Sequence, residues 1–483
     1  MTALAAGLPG CARTDRATNA SSSPSAAGAV EAAADYTIRI RTGLVELAPD
    51  RIIATTLYND QFPGPLIRLR EGRAATIDIF NDTDTPEQLH WHGQLLPADV
   101  DGSQEEGTPF IPPRGHRRVT FTPGPPGLRF YHTHNIAGAD LRAGQYGGQV
   151  GTVYVEPKSD AGAHDQEIFL MLKEFEPAFS RGGDMPMDFL TPAERDPGLE
   201  ATGEAAMRAS LANGRPHGFE VGYSAFSING RMLGHGEPLR VKPGERVLFH
   251  VVNGSATEIR SLALPGHTFR IVALDGNPVP TPVDVPVLWI GTGERVSALV
   301  EMKHPGVWIL GDVGEDRDHG MGIVVEYAGA NGKPQWSKPP SFHWDYTRFG
   351  GPSDAAPPDE TIEMVFSKDN AAANGFNRWL INGAAFSMDT MKPAFDVERG
   401  RRYRLRFRNA TDDIHPLHLH RHAFELTNIA GRKTSGVIKD VVMLGGYQAM
   451  EVDFTATSPG LSLFHCHMQL HMDYGFMALF NCR

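Results

Sequence analysis

Residues 464–477 read FHCHMQLHMDYGFM, from Phe464 to Met477. Cys466 stands between His465 and His467, and His471 follows four residues later. In extended backbone, successive side chains point to opposite faces, so His465 and His467 share one face while Cys466 takes the other. One short strand of this sequence can therefore ligate metal on both sides and join two sites through its own bonds. Soft thiolate with two imidazoles is the blue-copper donor set. The competing readings are a zinc site and a buried, inert cysteine. Structural zinc usually closes with four protein ligands, and no second cysteine lies near this one: the other two, Cys11 and Cys482, are at the chain ends. Cys482 reads as a passive free thiol.

The chain repeats itself around this stretch. GRAATIDIFN (Gly72 to Asn81), GERVLFHVVN (Gly244 to Asn253) and GRRYRLRFRN (Gly400 to Asn409) each place Gly and Asn nine positions apart around an alternating apolar run. PGLRFYHTH, PGVWILGDV and PGLSLFHCH align at Pro126, Pro305 and Pro459. Alternation punctuated by Gly and Pro predicts strands and turns, hence three β-sandwich copies. They are placed at residues 35–157, 158–338 and 339–483, after a signal remnant and tether over 1–34, with a Pro- and Gly-rich linker from Gly329 to Glu360. The middle copy has Gly311, Asp312 and Val313 where its neighbours have histidines. It keeps the scaffold without the ligands, and is expected to space the outer copies and wall a substrate approach.

Ten of the chain's 20 histidines fall in four clusters: His90 and His92; His132 and His134; His415, His418 and His420; His465, His467 and His471. Every cluster contains an HxH pair, and the clusters occupy equivalent places in the two outer copies. His415, Cys466 and His471 make one mononuclear set. The remaining eight imidazoles can hold three coppers as two, three and three, in a cluster straddling the first and third copies. His422 aligns with His267 of the ligand-free copy and reads as structural.

These four motifs, with the threefold repeat over residues 35–483, resemble the multicopper oxidases, the laccase-like family of bacterial type. The resemblance implies an all-β fold of three consecutive cupredoxin-like Greek-key β-sandwich domains and four copper ions. It implies that His415, Cys466 and His471 bind type 1 copper, and that His90 and His418 bind type 2. One type 3 copper takes His92, His132 and His467; the other takes His134, His420 and His465. An electron enters near the exposed edge of His471 and leaves through Cys466 toward His465 and His467; four such transfers reduce dioxygen to two waters. Phe476 occupies the family's axial position and cannot ligate, so a three-coordinate, high-potential type 1 site is expected; Met477, next along an extended strand, faces away. Asp101 stands where similar proteins carry an acid near type 2 copper and is expected to relay protons. Met472 replaces a Glu that some bacterial relatives have.

The 483 residues include 52 Gly and 36 Pro and carry a formal charge of -12, with pI near 5.9. That balance is the reverse of a nucleic-acid footprint. MTALAAGLPGCARTDR reads as the end of a secretory signal, and LPGC (Leu8 to Cys11) resembles a lipoprotein cleavage box. A periplasmic or secreted protein is expected, with membrane attachment through a lipid on Cys11 and Thr18 to Ala34 as a flexible tether. The expected partners are dioxygen and a small reductant, aromatic in the leading reading. A metallo-oxidase of cuprous or ferrous ions is the nearest alternative, though Met185 and Met187 are too few for a methionine-rich insert. A non-catalytic periplasmic copper-binding or electron-transfer protein would need only the type 1 set, and a copper nitrite reductase would not need the complete trinuclear set. The segment FHWDYTRFG (Phe342 to Gly350) is an aromatic candidate for the reductant pocket, against ordinary packing.

Overall fold

The structure, a computed structural model, describes residues 33–158, 164–181 and 194–483. Cys11 with the LPGC box, the tether as far as residue 32, and Met185 and Met187 lie outside the described residues. Six sheets form, two from each third of the chain. Their strands lie within residues 36–156, 166–327 and 360–482.

The same local pattern builds each pair of sheets. In Ala75–Asn81 the alternation buries Ala75, Ile77, Ile79 and Asn81. Arg402–Asn409 buries Tyr403, Leu405, Phe407 and Asn409 in the same way, whereas Arg246–Asn253 is buried on both faces after its first residue. Each of these strands pairs in parallel with the first strand of its own repeat: Tyr36–Ala48, Gln166–Ser180 and Glu360–Ala373. In each second sheet a further parallel pair forms, joining Gly64–Arg70 to Val150–Glu156, Leu239–Val241 to Gly322–Tyr327 and Phe395–Val397 to Met477–Cys482. Parallel neighbours cannot be joined by a tight hairpin, so the chain crosses between its two sheets, which is the Greek-key arrangement.

The asparagine that closes each repeat motif is a corner staple. Asn81, Asn253 and Asn409 are fully buried. The Asn253 Nδ2 donates to Glu258 O at 2.9 Å and Ile290 O at 2.8 Å, and the Asn409 Nδ2 to Asp413 O at 2.7 Å and Gly445 O at 2.9 Å. Asn81 does the same for Thr85 and Ile111. In all three the Oδ1 accepts the backbone N–H two residues on. Buried loop carbonyls are thereby paired, some of them with a second donor besides their backbone partner.

The middle and last thirds share one continuous apolar core, while the first has its own, around Trp91 and Tyr131. Trp344, Tyr346 and Phe349 are buried in the shared core, and the Tyr346 hydroxyl donates to Glu294 at 2.5 Å. The aromatic segment before Gly350 is therefore packing, not a reductant wall. One long helix, Pro197–Ala212, departs from the all-strand pattern. Asp196 caps it through Gly198 N and Leu199 N, with Pro197 at its first position, the favoured start chemistry. It lies against Ala410 and Tyr447 of the last third, where Gly203 allows close approach.

Candidate metal centre

Three side chains meet in the last third. His415 opens strand His415–Leu419, Cys466 ends strand Gly460–Cys466, and the two strands pair with Leu417 opposite Cys466. His471 comes from the short helical turn Gln469–Asp473 that follows. The Cys466 Sγ lies 3.7 Å from His415 Nδ1 and 3.5 Å from His471 Nδ1, and the two nitrogens are 3.2 Å apart. Burial holds both imidazoles well below their ordinary pKa, His471 at about 3, so both are neutral and able to ligate. Burial also pushes the Cys466 thiol up, against an opposing amide from Met468; a metal must displace its proton.

The Phe476 ring is 4.7 Å from the His415 ring, and its carbonyl accepts the Cys466 N–H at 3.1 Å. Met477 packs elsewhere, with Leu463, Met472 and Leu479. A phenyl ring, not a thioether, thus faces this set. The exposed edge expected for His471 needs correction. His471 is 1% exposed, with the Trp379 ring 4.0 Å from its own. Helix and strand packing closes over it. Thr411 Oγ1 sits 3.0 Å from His415 Nε2, at the foot of a small cavity of about 60 Å³ beneath helix Pro197–Ala212, lined by Met207, Lys368, Asp412 and Tyr447.

The other eight histidines converge between the first and last thirds. Strand His90–His92 pairs with Gly127–His132 so that His90 is opposite His132; in the last third His418 is opposite His465. The two ladders face each other. His90 stacks on His420 with ring centroids 4.0 Å apart, and His92 on His418 at 3.8 Å. Three triplets result, each with its donor atoms within 4.8 Å of one another: His90, His92 and His418; His92, His132 and His467; His134, His420 and His465.

Six of the eight imidazoles have one nitrogen held by a carboxylate or a carbonyl, while inward His420 Nε2 meets His465 Nε2 at 3.0 Å and His92 Nδ1 meets His132 Nε2 at 3.4 Å. His90 and His420 each place Nδ1 3.0 Å from Asp101 Oδ2. Nδ1 of His132, His418 and His465 lies 2.7 to 2.8 Å from a backbone carbonyl, of Thr133, Asp440 and Cys466 respectively. His92 reaches Asp440 Oδ1 through Nε2 at 3.1 Å. The inward Nε2 atoms of His90 and His418, and both nitrogens of His134 and His467, have no hydrogen-bond partner among the described residues. Buried polar atoms are as a rule paired, so this concentration of unpartnered imidazole nitrogens in one place fits metal. Burial keeps the imidazoles of His92, His132, His418, His420, His465 and His467 far below their ordinary pKa, and that of His134 at about 3.

Asp101 is fully buried, and its Oδ1 has no partner among the described residues. Two further acids, unsuspected from the sequence, flank it. Glu105 Oε2 is 3.7 Å from His134 Nδ1, and Glu106 Oε1 accepts Leu463 N at 2.6 Å. Burial raises the pKa of both, helped for Glu106 by Asp101. Their only sequence signal is the EE pair four and five residues past Asp101. A cavity of about 440 Å³ reaches this corner, lined by Glu87, Glu105, His134, Asn135 and Gln149 among others. Asp440 and its partner Arg295 carry no sequence signal: nothing near them marks a site. His422 is indeed structural: its Nδ1 meets His420 O at 3.2 Å, and its Nε2 accepts from Thr457 N and Ser458 N.

Three family profiles described as multicopper oxidase match residues 43–160, 201–321 and 355–483. The chain belongs to the multicopper oxidase family, copper-dependent oxidoreductases that take oxygen as acceptor and carry type 1, 2 and 3 copper. Among its relatives is the multicopper oxidase MmcO of Mycobacterium tuberculosis, 28% identical over 483 residues, 97% of this chain and 92% of that one. Solved structures with the same fold include a laccase from Botrytis aclada (17% identical, TM-score 0.72, covering 92% of this chain and 87% of that one). Another is a Campylobacter jejuni multicopper oxidase described as a metallo-oxidase (20%, TM-score 0.68, 92% and 91%). The sandwiches are accordingly of cupredoxin-like type.

Proposed function

We propose that this oxidase draws single electrons from small aromatic donors, laccase-like, at the type 1 corner, and holds its coppers on the residues just described. His415, Cys466 and His471 take the type 1 ion. His90 and His418 take type 2, and the triplets His92, His132, His467 and His134, His420, His465 take the type 3 pair. Bound there, copper supplies one-electron acceptance from the reductant and four-electron reduction of dioxygen to water. The chain supplies the connection: Cys466 is bonded through its backbone to both His465 and His467, so the two sites share one strand.

The observation that carries the aromatic reading is the state of the carboxylates beside the type 1 set. A metal-ion reductant needs acidic ligands with no cation beside them. The Lys368 ammonium instead sits between the two acids, 2.6 Å from Asp412 and 2.5 Å from Asp413, where its charge opposes a second cation. Asp412 keeps 47% of its side chain exposed and lines the same small cavity as Thr411, whose hydroxyl meets His415 Nε2. A phenol that loses an electron must also lose its proton, and Asp412 is placed to accept it. Asp101, aimed inward with one free oxygen, is assigned the proton relay to the oxygen-reducing cluster. Export to the periplasm or beyond remains part of this reading, supported by the sequence of the N-terminal tail.

The test is oxygen uptake by copper-loaded protein with a phenol, cuprous ion and ferrous ion in parallel, at matched concentrations. The phenol should turn over fastest, and Asp412→Asn should slow it while leaving an outer-sphere inorganic donor unaffected. Faster uptake with either metal ion would replace the aromatic reading. Full dioxygen turnover in Asp101→Asn would remove the relay.

A further inference from the structure

The ligand-free middle domain reaches into the copper cluster. Arg295 begins strand Arg295–Glu301 of that domain and is completely buried. Its guanidinium grips Asp440 of the last domain with both arms, Nη1 to Oδ1 and Nη2 to Oδ2, each at 2.6 Å. Asp440 in turn touches two imidazoles of the cluster. Its Oδ1 accepts from His92 Nε2 at 3.1 Å, and its backbone carbonyl accepts from His418 Nδ1 at 2.7 Å. One histidine belongs to the first domain and the other to the last, and their rings stack at 3.8 Å.

The surroundings are shaped for this grip. A Cβ on Gly93, directly after the His92 motif, would come within 2.6 Å of Arg295 Nη2 and 2.8 Å of Asp440 Oδ2. A Cβ on Gly293, two residues before Arg295, would come within 2.8 Å of the His467 ring. Both glycines have positive φ, +78° and +79°, so two independent constraints hold each. Arg295 is itself fixed by Gly293 O at 2.9 Å and Asp275 O at 3.2 Å, and Asp275 Oδ2 accepts the backbone N–H groups of Asp440 and Val441. The two-armed contact leaves Asp440 one orientation, with an oxygen aimed at His92.

We infer that Arg295 is a positioning residue of the oxygen-reducing cluster: through Asp440 it fixes the His92 tautomer that leaves Nδ1 free for metal, and sets the ring planes of His92 and His418. The middle domain is thus a working part of the copper site as well as a spacer. Partners of this kind, one step behind the ligands, typically carry about 10- to 100-fold in metal affinity or activity. The inference rests on His92 and His418 being copper ligands, as proposed above.

The experiment compares copper-loaded wild type with Arg295→Met and Arg295→Lys. The readouts are copper per chain, the type 2 electron paramagnetic resonance signal, near-ultraviolet absorption of the type 3 pair, and blue type 1 absorption. Type 1 serves as an internal control of folding, since its ligands lie entirely in the last domain. Arg295→Met should keep the blue colour and lose type 2 and type 3 signal, with at least about tenfold weaker copper retention against a chelator. Arg295→Lys keeps the charge without the fork, and should shift the type 2 signal while losing less copper. Wild-type spectra and copper content in Arg295→Met would overturn the inference; should that variant not fold, an unshifted type 2 signal in Arg295→Lys would overturn it equally. Absence of type 2 and type 3 signals from wild type would instead sink the ligand assignment itself.

Discussion

Cys466 does two jobs at the residue scale: its sulfur belongs to one site and its backbone neighbours to the other. Cys466→Ser should remove the blue absorption, leave about three coppers per chain and reduce turnover with any reductant to background. Retained blue colour would refute its assignment. Since burial raises the thiol pKa, copper loading of this site must expel a proton. Apparent type 1 affinity should therefore climb with pH, by about tenfold per unit for one proton displaced, as measured by blue absorbance in a copper-buffered titration. Glu87 gives a second pH effect. It is 4% exposed, and burial raises its pKa from 4.5 to about 7, against hydrogen bonds from Gln149 and Asn135. A carboxyl raised in the folded state contributes full stability below the unfolded value, and loses it as pH climbs through the folded one. Stability should fall between pH 4.5 and 7 by about 3 kcal/mol from this group. Glu87→Gln should flatten that fall in denaturant titrations of the copper-free protein.

Among the elements, the strands that carry ligands were legible and the helix was not. HWH, YHTH and FHCH all lie on or at the end of strands, as their spacing predicts. Helix Pro197–Ala212 has its own local signals, Asp196 before Pro197 and an Ala- and Glu-rich run, but nothing in the strand repeat calls for a helix there. It decides the shape of the cavity over Thr411. A Cβ at Gly203 would come within 2.5 Å of Ala410 O, so Gly203→Val should push the helix off this corner. The expected outcome is a changed KM for aromatic donors with unaltered copper content; an unchanged KM would show that donors do not approach there. The corner asparagines offer a test of the fold itself. Asn409→Ala leaves the buried Asp413 carbonyl and Thr411 N–H without partners, Gly445 O keeping the Gln448 N–H, and should cost about 2–4 kcal/mol, read from chemical unfolding, and should disturb the blue spectrum through the loop to His415.

For the whole molecule, the proposed ligand set would make copper a clamp between the first and last domains. Their main apolar cores are separate, and eight imidazoles meet across the seam, four of them with a nitrogen that has no hydrogen-bond partner among the described residues. Removing copper should lower Tm and split one calorimetric transition into two, the first domain melting earlier, because ligands that bind only the native state stabilise it in proportion to their affinity. Identical scans for copper-free and loaded protein would refute this.

The sequence alone determined the three sandwiches and the four ligand motifs. Alternation, glycine and proline punctuation, and HxH spacing are local properties, readable wherever side-chain direction follows from backbone period. The family resemblance, rather than any local period, put the phenyl of Phe476 against the type 1 set, next to Met477. Only the tertiary structure decided which acids and cations stand behind the ligands. Arg295 and Asp440 are 145 residues apart, and Glu105 meets His134 only because a short turn folds under it. Likewise His471 is covered by Trp379, 92 residues away in the chain. Such contacts are set by how whole domains pack, and no local period encodes them.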